Sequence, residues 1–449
     1  MKRKLFGTDG IRGEANVFPM LPELALQVGR AIGYLFKNHT FSKVIIGKDT
    51  RLSGYVFEAS LVAGLCSMGV STWLVGPLPT PAIAFLTKDM RADAGIMISA
   101  SHNPYYDNGI KIFDKEGFKL SDELEEKIES LIFDENFQNI RQYKGDLGRA
   151  FRIKDAIGRY AVHLKSSIPT YINFEGLKVV IDCANGAAYQ VAPQTLEELG
   201  AEVISLGCSP NGLNINENCG ALFPQRLREK VLESKAHLGI ALDGDGDRIV
   251  MVDEKGALVD GDELLALFGV ELKNRNQLFQ NTVVGTVMSN LALENFLLQK
   301  NINFIRTPVG DRYVVSKLKE IGGILGGETS GHIIFLDKTT TGDGLLTALK
   351  VMALIKEKEK PLSELVHLFD KYPQIIKNVK VKYKKPVEEI EGLLEKMTLA
   401  NKKLKGKGRI VVRPSGTEPK YRVMVEGEDE TLIREIAEEL SQYIAQKLN

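Results

Sequence analysis

The run Asp243-Gly244-Asp245-Gly246-Asp247-Arg248 constrains this chain more than any other stretch. Carboxylates at alternate positions, separated only by glycine, serve no packing purpose. The glycines let the backbone curl, so Asp243, Asp245 and Asp247 can converge on one point. Converging carboxylates repel unless a cation sits among them. Hard oxygen ligands in this number suit Mg²⁺, which also takes a phosphate oxygen into its shell. The competing readings are an acidic surface turn and a calcium loop, and the latter lacks the EF-hand spacing and its closing Glu. The apolar run Leu238–Leu242 reads as a buried strand. The fold must therefore deliver this loop to a strand end, where open α/β sheets bind ligands.

Upstream, Gly95–Lys111 (GIMISASHNPYYDNGIK) repeats the arrangement. The strand Ala94–Ile98 stops at Ser99, and Ser101 and His102 follow before the Asn108-Gly109 turn. A hydroxyl fixed by a rigid strand is well placed to meet a ligand, although an ordinary turn serine would look the same. In Gly326–His332 (GGETSGH), Glu328, Ser330 and His332 alternate. An extended backbone would put all three on one side, facing a polyol or amino sugar. The stretch Arg413–Pro419 separates the strands Arg409–Val412 and Tyr421–Val425. Arg413 and Arg422 offer guanidinium forks for phosphate, and Ser415, Thr417 and the Gly416 N–H offer neutral donors. No GxxxxGK[ST] loop occurs, so nucleotide binding has no support.

Strand and helix patterns alternate along the chain, which predicts an α/β fold with sheets covered on both faces. Four units are expected: residues 1–150 with the serine loop, 151–255 with the aspartates, 256–370 with the GGETSGH loop, and 371–449 with the arginines. Helices are expected over Val56–Met68, Pro81–Met90, Ala187–Leu199, Phe223–Ser234, Glu263–Leu272 and Glu430–Leu448, with Ser121 capping another at Ser121–Ile132. The Lys-rich passage from Lys371 to Arg409 has interleaved glutamates and few aromatics, which argues against nucleic acid. Lys+Arg and Asp+Glu are both 58, so nothing global attracts nucleic acid or an anionic membrane. The N-terminus lacks the apolar core of a secretory signal, and no run has the length of a membrane span. Cys66, Cys183, Cys208 and Cys219 form no CxxC pair. Buried, reduced thiols in a cytoplasmic protein are expected.

Taken together, the four loops supply a hydroxyl, a divalent cation, sugar-type hydrogen-bond partners and a phosphate anchor. A phosphoserine carries about −1.5 to −2 charges and three acceptor oxygens. Next to a divalent cation it could pass its phosphoryl group to a sugar phosphate gripped by its other end.

In this order, the serine loop, DGDGDR, GETSGH and RPSGTEPKYR resemble the α-D-phosphohexomutase superfamily, and within it the bacterial phosphoglucosamine mutases. FGTDGIRG (Phe6–Gly13), LNINENCG (Leu213–Gly220) and TTTGDG (Thr339–Gly344) extend the match over nearly the whole chain. The resemblance implies three related α/β domains and a C-terminal α+β domain. It implies that Ser101 cycles through phosphoserine, with Mg²⁺ held by Ser101, Asp243, Asp245 and Asp247. Arg248 would touch the phosphate near the metal, Glu328 and Ser330 the sugar hydroxyls, and Arg413, Ser415, Gly416, Thr417 and Arg422 the distal phosphate. Arg12, Lys111 and His332 match positions near the reacting groups, and Lys111 is the first choice for general acid/base, which requires a lowered pKa. The implied reaction interconverts glucosamine 6-phosphate and glucosamine 1-phosphate through glucosamine 1,6-bisphosphate, toward UDP-N-acetylglucosamine and cell-wall precursors. Its partners are sugar phosphates, with a homodimer admissible. Thr329 stands where phosphoglucosamine mutases often have Gln. Phosphomannomutase or phosphoglucomutase, a silent sugar-phosphate binder, an aspartyl phosphatase and His102 as phosphoryl carrier are the alternatives.

Overall fold

The computed structural model describes residues 4–7, 9–37, 42–414 and 419–448. Three times the chain follows the same path. First, strand Lys43–Lys48, helix Gly54–Ser67, strand Ser71–Pro77, helix Thr80–Asp89 and strand Ala94–Ile98 lead into the antiparallel strand Asp107–Asp114. Next come Lys178–Asp182, helix Val191–Glu198, Glu202–Leu206, helix Gln225–Ser234 and Leu238–Leu242, which returns as Ile249–Asp253. The third pass runs through Thr282–Thr286, helix Leu291–Gln299, Asn303–Thr307, helix Asp311–Ile321 and Leu325–Gly327, and returns as Ile333–Phe335. In each sheet the spatial order is returning strand, third, first, second. Short strands extend the first two sheets at their edges.

The shared topology has a physical cause. The third strands Ala94–Ile98 and Leu238–Leu242 are buried along their whole length. Strands apolar on both faces need helical cover on each side, which the two crossover helices begin to supply. The third strand then turns directly back instead of crossing over, so each hairpin loop emerges at a ligand-binding strand end. Those loops carry Ser101, the aspartates and Glu328. The C-terminal sheet is antiparallel, in the order Gln374–Lys380, Lys420–Gly427, Gly408–Pro414, with helices Leu393–Lys403 and Glu430–Leu448. The fold is α/β in three related units, with a C-terminal α+β unit.

Several elements depart from expectation. The helix expected over Ala187–Leu199 starts only at Val191, because Ala184 and Asn185 adopt positive φ and the chain first makes a turn. Ser121 stands at the N-cap of Asp122–Ile132, yet its side chain makes no capping bond. The acidic first turn of Asp122, Glu123 and Glu125 opposes the helix dipole there. Within the Lys-rich passage lie the strand Gln374–Lys380 and the helix Leu393–Lys403. All four cysteines are free, but Cys66 and Cys208 are only half-buried. Among the described residues no helix is long and apolar enough to cross a membrane.

One apolar core runs from Ile45 and Leu78 through Ile181 and Leu242 to Phe268 and Leu346, so the three related units share an interior. The C-terminal unit has a core of its own, including Val379, Tyr421, Val423, Ile436 and Leu440. It meets the third unit through polar contacts, among them the Leu291 amide donating to Glu426 Oε1 at 3.1 Å.

Within the shared interior, the buried Tyr160 hydroxyl donates to Asp343 Oδ2 at 2.8 Å. Asp343 Oδ1 also caps the helix Gly344–Lys358 by accepting from the Leu346 amide, and the Gly344 amide donates to Gly246 O at 3.1 Å. Removing the Tyr160 hydroxyl leaves a buried acceptor without its donor. Tyr160→Phe is therefore expected to lower stability by about 1–3 kcal/mol, read from the urea midpoint. A midpoint equal to wild type would show that the pair carries no net stability.

Candidate active site

Ser101 lies at the end of its strand with φ 51°, a left-handed conformation that costs a non-glycine residue energy. A dense set of bonds holds it there. Its amide donates to Ser99 Oγ at 2.9 Å. Its carbonyl accepts from Arg51 Nη2 at 3.1 Å and from Asn216 Nδ2 at 2.9 Å. Arg51 is fully buried, pairs with Asp49 and also holds Asn103 O at 2.6 Å. The Ser101 hydroxyl donates to Asp243 Oδ2 at 2.6 Å and lies 3.2 Å from His102 Nδ1. Gly244 has no room for a side chain, since a Cβ there would sit 2.5 Å from Ser101 O. The serine and aspartate loops are thus in backbone contact.

The three aspartates are buried, and one carboxylate oxygen from each lies within 4.8 Å of the others. Gly246 turns the loop with φ 69°. Asp245 Oδ2 accepts from Thr80 Oγ1 at 2.5 Å and Lys111 Nζ at 2.8 Å, and Asp247 Oδ2 accepts from Lys111 at 3.3 Å. Asp245 Oδ1 and Asp247 Oδ1 are buried without a hydrogen-bond partner. Burial, then the charges of Asp247 and Asp245, push Asp243 up to about 8. Orphaned carboxylate oxygens in a crowded anionic cluster of hard ligands fit a small divalent cation.

Lys111 corrects an expectation. Burial alone would lower its pKa, but Asp245, Asp9 and Asp247 raise it above the ordinary lysine value. The ammonium is held charged by neighbouring carboxylates, opposite to the lowered pKa expected from sequence. Asp9 bonds Arg12 and Lys119 and lies 3.4 Å from Lys111. Its carboxyl is kept well below the ordinary value by those three cations despite its burial. Lys119 reaches Asp311 at 2.7 Å, and Asp311 lies 3.4 Å from His332 Nε2. His332 Nδ1 is 3.7 Å from Asp247. Asp247 and Asp311 outweigh burial and raise the His332 pKa to about 10. The Gly342 amide, however, donates to Nε2 at 2.9 Å, a bond open only to the neutral ring. Offsetting the Asp247 charge would remove one of the two carboxylates that favour the charged ring.

Glu328, Ser330 and His332 do not share one side of an extended stretch. Residues 328–331 form a tight turn, with the Gly331 amide donating to Glu328 O at 2.9 Å and the Glu328 amide to His332 O at 3.0 Å. Leu325–Gly327 and Ile333–Phe335 pair across it, so Glu328 and His332 face each other over the hairpin. His332 points to the aspartates. Glu328 accepts from the Gly310 amide at 3.0 Å, and the exposed Ser330 is 3.4 Å from its other oxygen. The Glu328 charge acts on both Arg248 and Arg413, which places it between the metal loop and the C-terminal unit.

Arg413 and Arg422 stand directly opposite one another on antiparallel strands. Burial and the Arg422 charge lower the Arg413 pKa. Like charges in this position repel, and Arg413 Nε is buried without a partner, as are Arg12 Nε and Arg248 Nε. Three guanidinium groups with unused donors suit an anionic ligand. Ser415, Gly416 and Thr417 lie outside the described residues.

Sequence reasoning gave no role to Asp9, Asp49, Arg51, Lys119, Asn216 or Asp311. A signal existed for some of them. Lys48-Asp49-Thr50-Arg51 follows a buried strand at the same end as Ser101, and Asp9 and Asn216 lie inside stretches that carried the family resemblance.

Residues 3–139, 158–256 and 260–372 match the phosphoglucomutase/phosphomannomutase alpha/beta/alpha domains I, II and III, and residues 376–442 match the C-terminal domain of that family. The chain is 52% identical to a phosphoglucosamine mutase of Lawsonia intracellularis over all of both chains. It is 53% identical to one of Myxococcus xanthus, covering all of this chain and 98% of the relative. A phosphoglucomutase/phosphomannomutase family protein of Burkholderia thailandensis shares the fold with a TM-score of 0.81 at 24% identity, over 99% of this chain and 98% of that one. An Aspergillus fumigatus N-acetylphosphoglucosamine mutase, solved with GlcNAc-6P and magnesium, superposes with a TM-score of 0.68 at 17% identity, over 100% and 96% of the two chains. With its four domains matched in order and half its residues shared end to end with such relatives, the chain belongs to the phosphoglucomutase/phosphomannomutase family, among the phosphoglucosamine mutases.

Proposed function

We propose that this chain interconverts glucosamine 6-phosphate and glucosamine 1-phosphate in the cytoplasm, with Ser101 carrying the phosphoryl group and glucosamine 1,6-bisphosphate as intermediate. The observation that carries the reading is the Ser101 hydroxyl bonded to Asp243 beside two buried carboxylates with unused oxygens. Mg²⁺ held by Asp243, Asp245, Asp247 and a phosphoserine oxygen would offset charge on the transferring phosphoryl group.

In the first half-reaction a sugar hydroxyl oxygen forms a bond to phosphorus as the bond to Ser101 Oγ breaks. The hydroxyl proton leaves to a base and Ser101 takes up a proton. Lys111 and His332 flank Asp247 and are the groups to move these protons, and Arg12 and Arg248 hold the phosphoryl oxygens. A charged Lys111 can donate at once, whereas it can accept only when the pull of Asp245 and Asp247 is offset. Glu328 and Ser330 take the sugar hydroxyls. Arg413 and Arg422, with Ser415, Gly416 and Thr417, take the phosphate that is not transferred, so remote binding energy positions the reacting end. The bisphosphate then turns round before the second half-reaction. A C-terminal unit with its own core, joined through polar contacts, suits the opening this needs.

Intact-mass measurement with phosphosite mapping tests the central step. Wild type is expected to carry one phosphoryl group on Ser101, stable to acid and hydroxylamine. Acid lability would instead indicate His102 and hydroxylamine lability an aspartyl phosphate. Ser101→Ala should lose the group and more than about 10³-fold of turnover. Comparing kcat/KM on glucosamine, glucose and mannose phosphates separates this reading from phosphoglucomutase or phosphomannomutase activity with the same mechanism.

Cation binding should depend on pH in a definite direction. The Asp243 carboxyl titrates near 8 without metal, so below that pH the cation must displace a proton. Mg²⁺ affinity measured by calorimetry is expected to rise with pH and level off above about 8. An affinity that is flat from pH 6 to 9 contradicts the assignment of Asp243 as a ligand. Chelation should abolish turnover.

Arg413→Ala and Arg422→Ala each remove a charge-assisted bond worth about 1.5–3 kcal/mol. An increase in KM of about 10- to 100-fold is expected for the sugar phosphate, and an unchanged KM would remove these residues from the anchor.

A further inference from the structure

The turn that bears Glu328 and Ser330 rests on the first residues of the helix Gly261–Asn274. The Gly261 amide donates to Thr329 O at 3.1 Å, and a Cβ on Gly261 would sit 2.0 Å from Glu328 O. Thr329 does not face the cleft. Its hydroxyl donates to Asp262 Oδ1 at 3.0 Å. The other oxygen of this fully buried carboxylate accepts from the Asn290 amide at 2.8 Å. Asn290 in turn clasps the Tyr372 backbone, its Oδ1 accepting from the Tyr372 amide at 3.1 Å and its Nδ2 donating to the carbonyl at 3.0 Å. Tyr372 stands two residues before the strand Gln374–Lys380 that opens the C-terminal sheet. A single carboxylate therefore lies between the turn and the passage to the unit that carries Arg413 and Arg422.

We infer that Asp262 is a positioning residue for sugar recognition, holding the Glu328–Ser330 turn through the Thr329 hydroxyl and the approach to the C-terminal unit through Asn290. The inference rests on the proposed reading of Glu328 and Ser330 as sugar contacts. Burial and the nearby Asp260 push Asp262 up to about 7, against the pull of the Asn290 amide, the Thr329 hydroxyl and Lys371. Thr329 consequently acts as an anchor for its neighbours.

The test compares steady-state kinetics on glucosamine 6-phosphate with competitive inhibition by inorganic phosphate. Thr329→Val, which removes the hydroxyl and keeps the shape, is expected to raise KM about 3- to 10-fold, the scale of one hydrogen bond's net contribution. The inhibition constant for phosphate should not move, because the arginine anchor is untouched. Thr329→Ser keeps the hydroxyl and should restore the wild-type KM. Asp262→Asn turns an amide toward one of two donors and should raise KM at least as much as Thr329→Val. A wild-type KM in Thr329→Val, a Thr329→Ser enzyme as impaired as Thr329→Val, or an equal weakening of phosphate inhibition would overturn the inference. Wild type with no turnover of glucosamine 6-phosphate would instead sink the proposed function and is recognised before any variant is made.

Discussion

The ammonium of Lys111 is the charge around which the site closes. It is buried and lies within 3.4 Å of carboxylates from Asp9, Asp245 and Asp247. Burying one charge without partners costs several kcal/mol, and breaking a buried pair leaves its partner uncompensated. Asp9 and Lys111 come from the first sheet, the aspartates from the second, and Asp311 and His332 from the third unit. No one unit could bury its share alone. The cluster therefore stabilises the assembled three-unit body, and the assembled body in turn supplies the low dielectric that makes each contact strong.

Threefold repetition of one strand order makes this convergence geometrically simple. Each third strand ends in a hairpin, and the three hairpins meet: Gly244 lies against the Ser101 carbonyl, and the Ile249 amide donates a hydrogen bond to the Gly331 carbonyl at 3.1 Å. Backbone contacts of this kind fix the loops more firmly than side chains could, since they have no rotamers to lose. The strained Ser101 backbone is tolerated for the same reason. Arg51, Asn216 and the Ser99 hydroxyl saturate its carbonyl and amide, so relaxing φ would break several bonds at once.

Apolar runs that stop abruptly at small polar residues were readable from sequence. For that reason Ala94–Ile98, Leu238–Leu242 and the loops after them stand where they were expected. Three aspartates spaced by glycine identify themselves, because no core or surface role requires them. Other charged residues have no such signature. Asp9 and Lys119 sit in connecting stretches and Asp311 at a helix start, where a solvated side chain would look identical, and most of their partners are far off in sequence. The basicity of Lys111 depends on Asp9 and on two carboxylates more than 130 residues away, so its sign could not be read locally. The strand Gln374–Lys380 was hidden by lysines that an edge strand can turn to solvent. The alternation of Glu328, Ser330 and His332 misled because Gly331, at φ 89°, bends the chain where alternation assumes it extended.

The same electrostatics gives a reason for the C-terminal unit, the proposed phosphate anchor, to stand apart from the shared core. Arg413 and Arg422 face each other across two strands, an arrangement that repels until an anion arrives. Glu328, whose charge acts on Arg413, belongs to the third unit. In the proposed mechanism a closed cleft would bring that carboxylate and the ligand phosphate to the arginines together, whereas an open one would leave the two guanidinium groups to water. Ligand binding and closure are thus favoured by one interaction. A unit welded into the common interior would gain nothing from it, because its position would no longer depend on whether the anion is present.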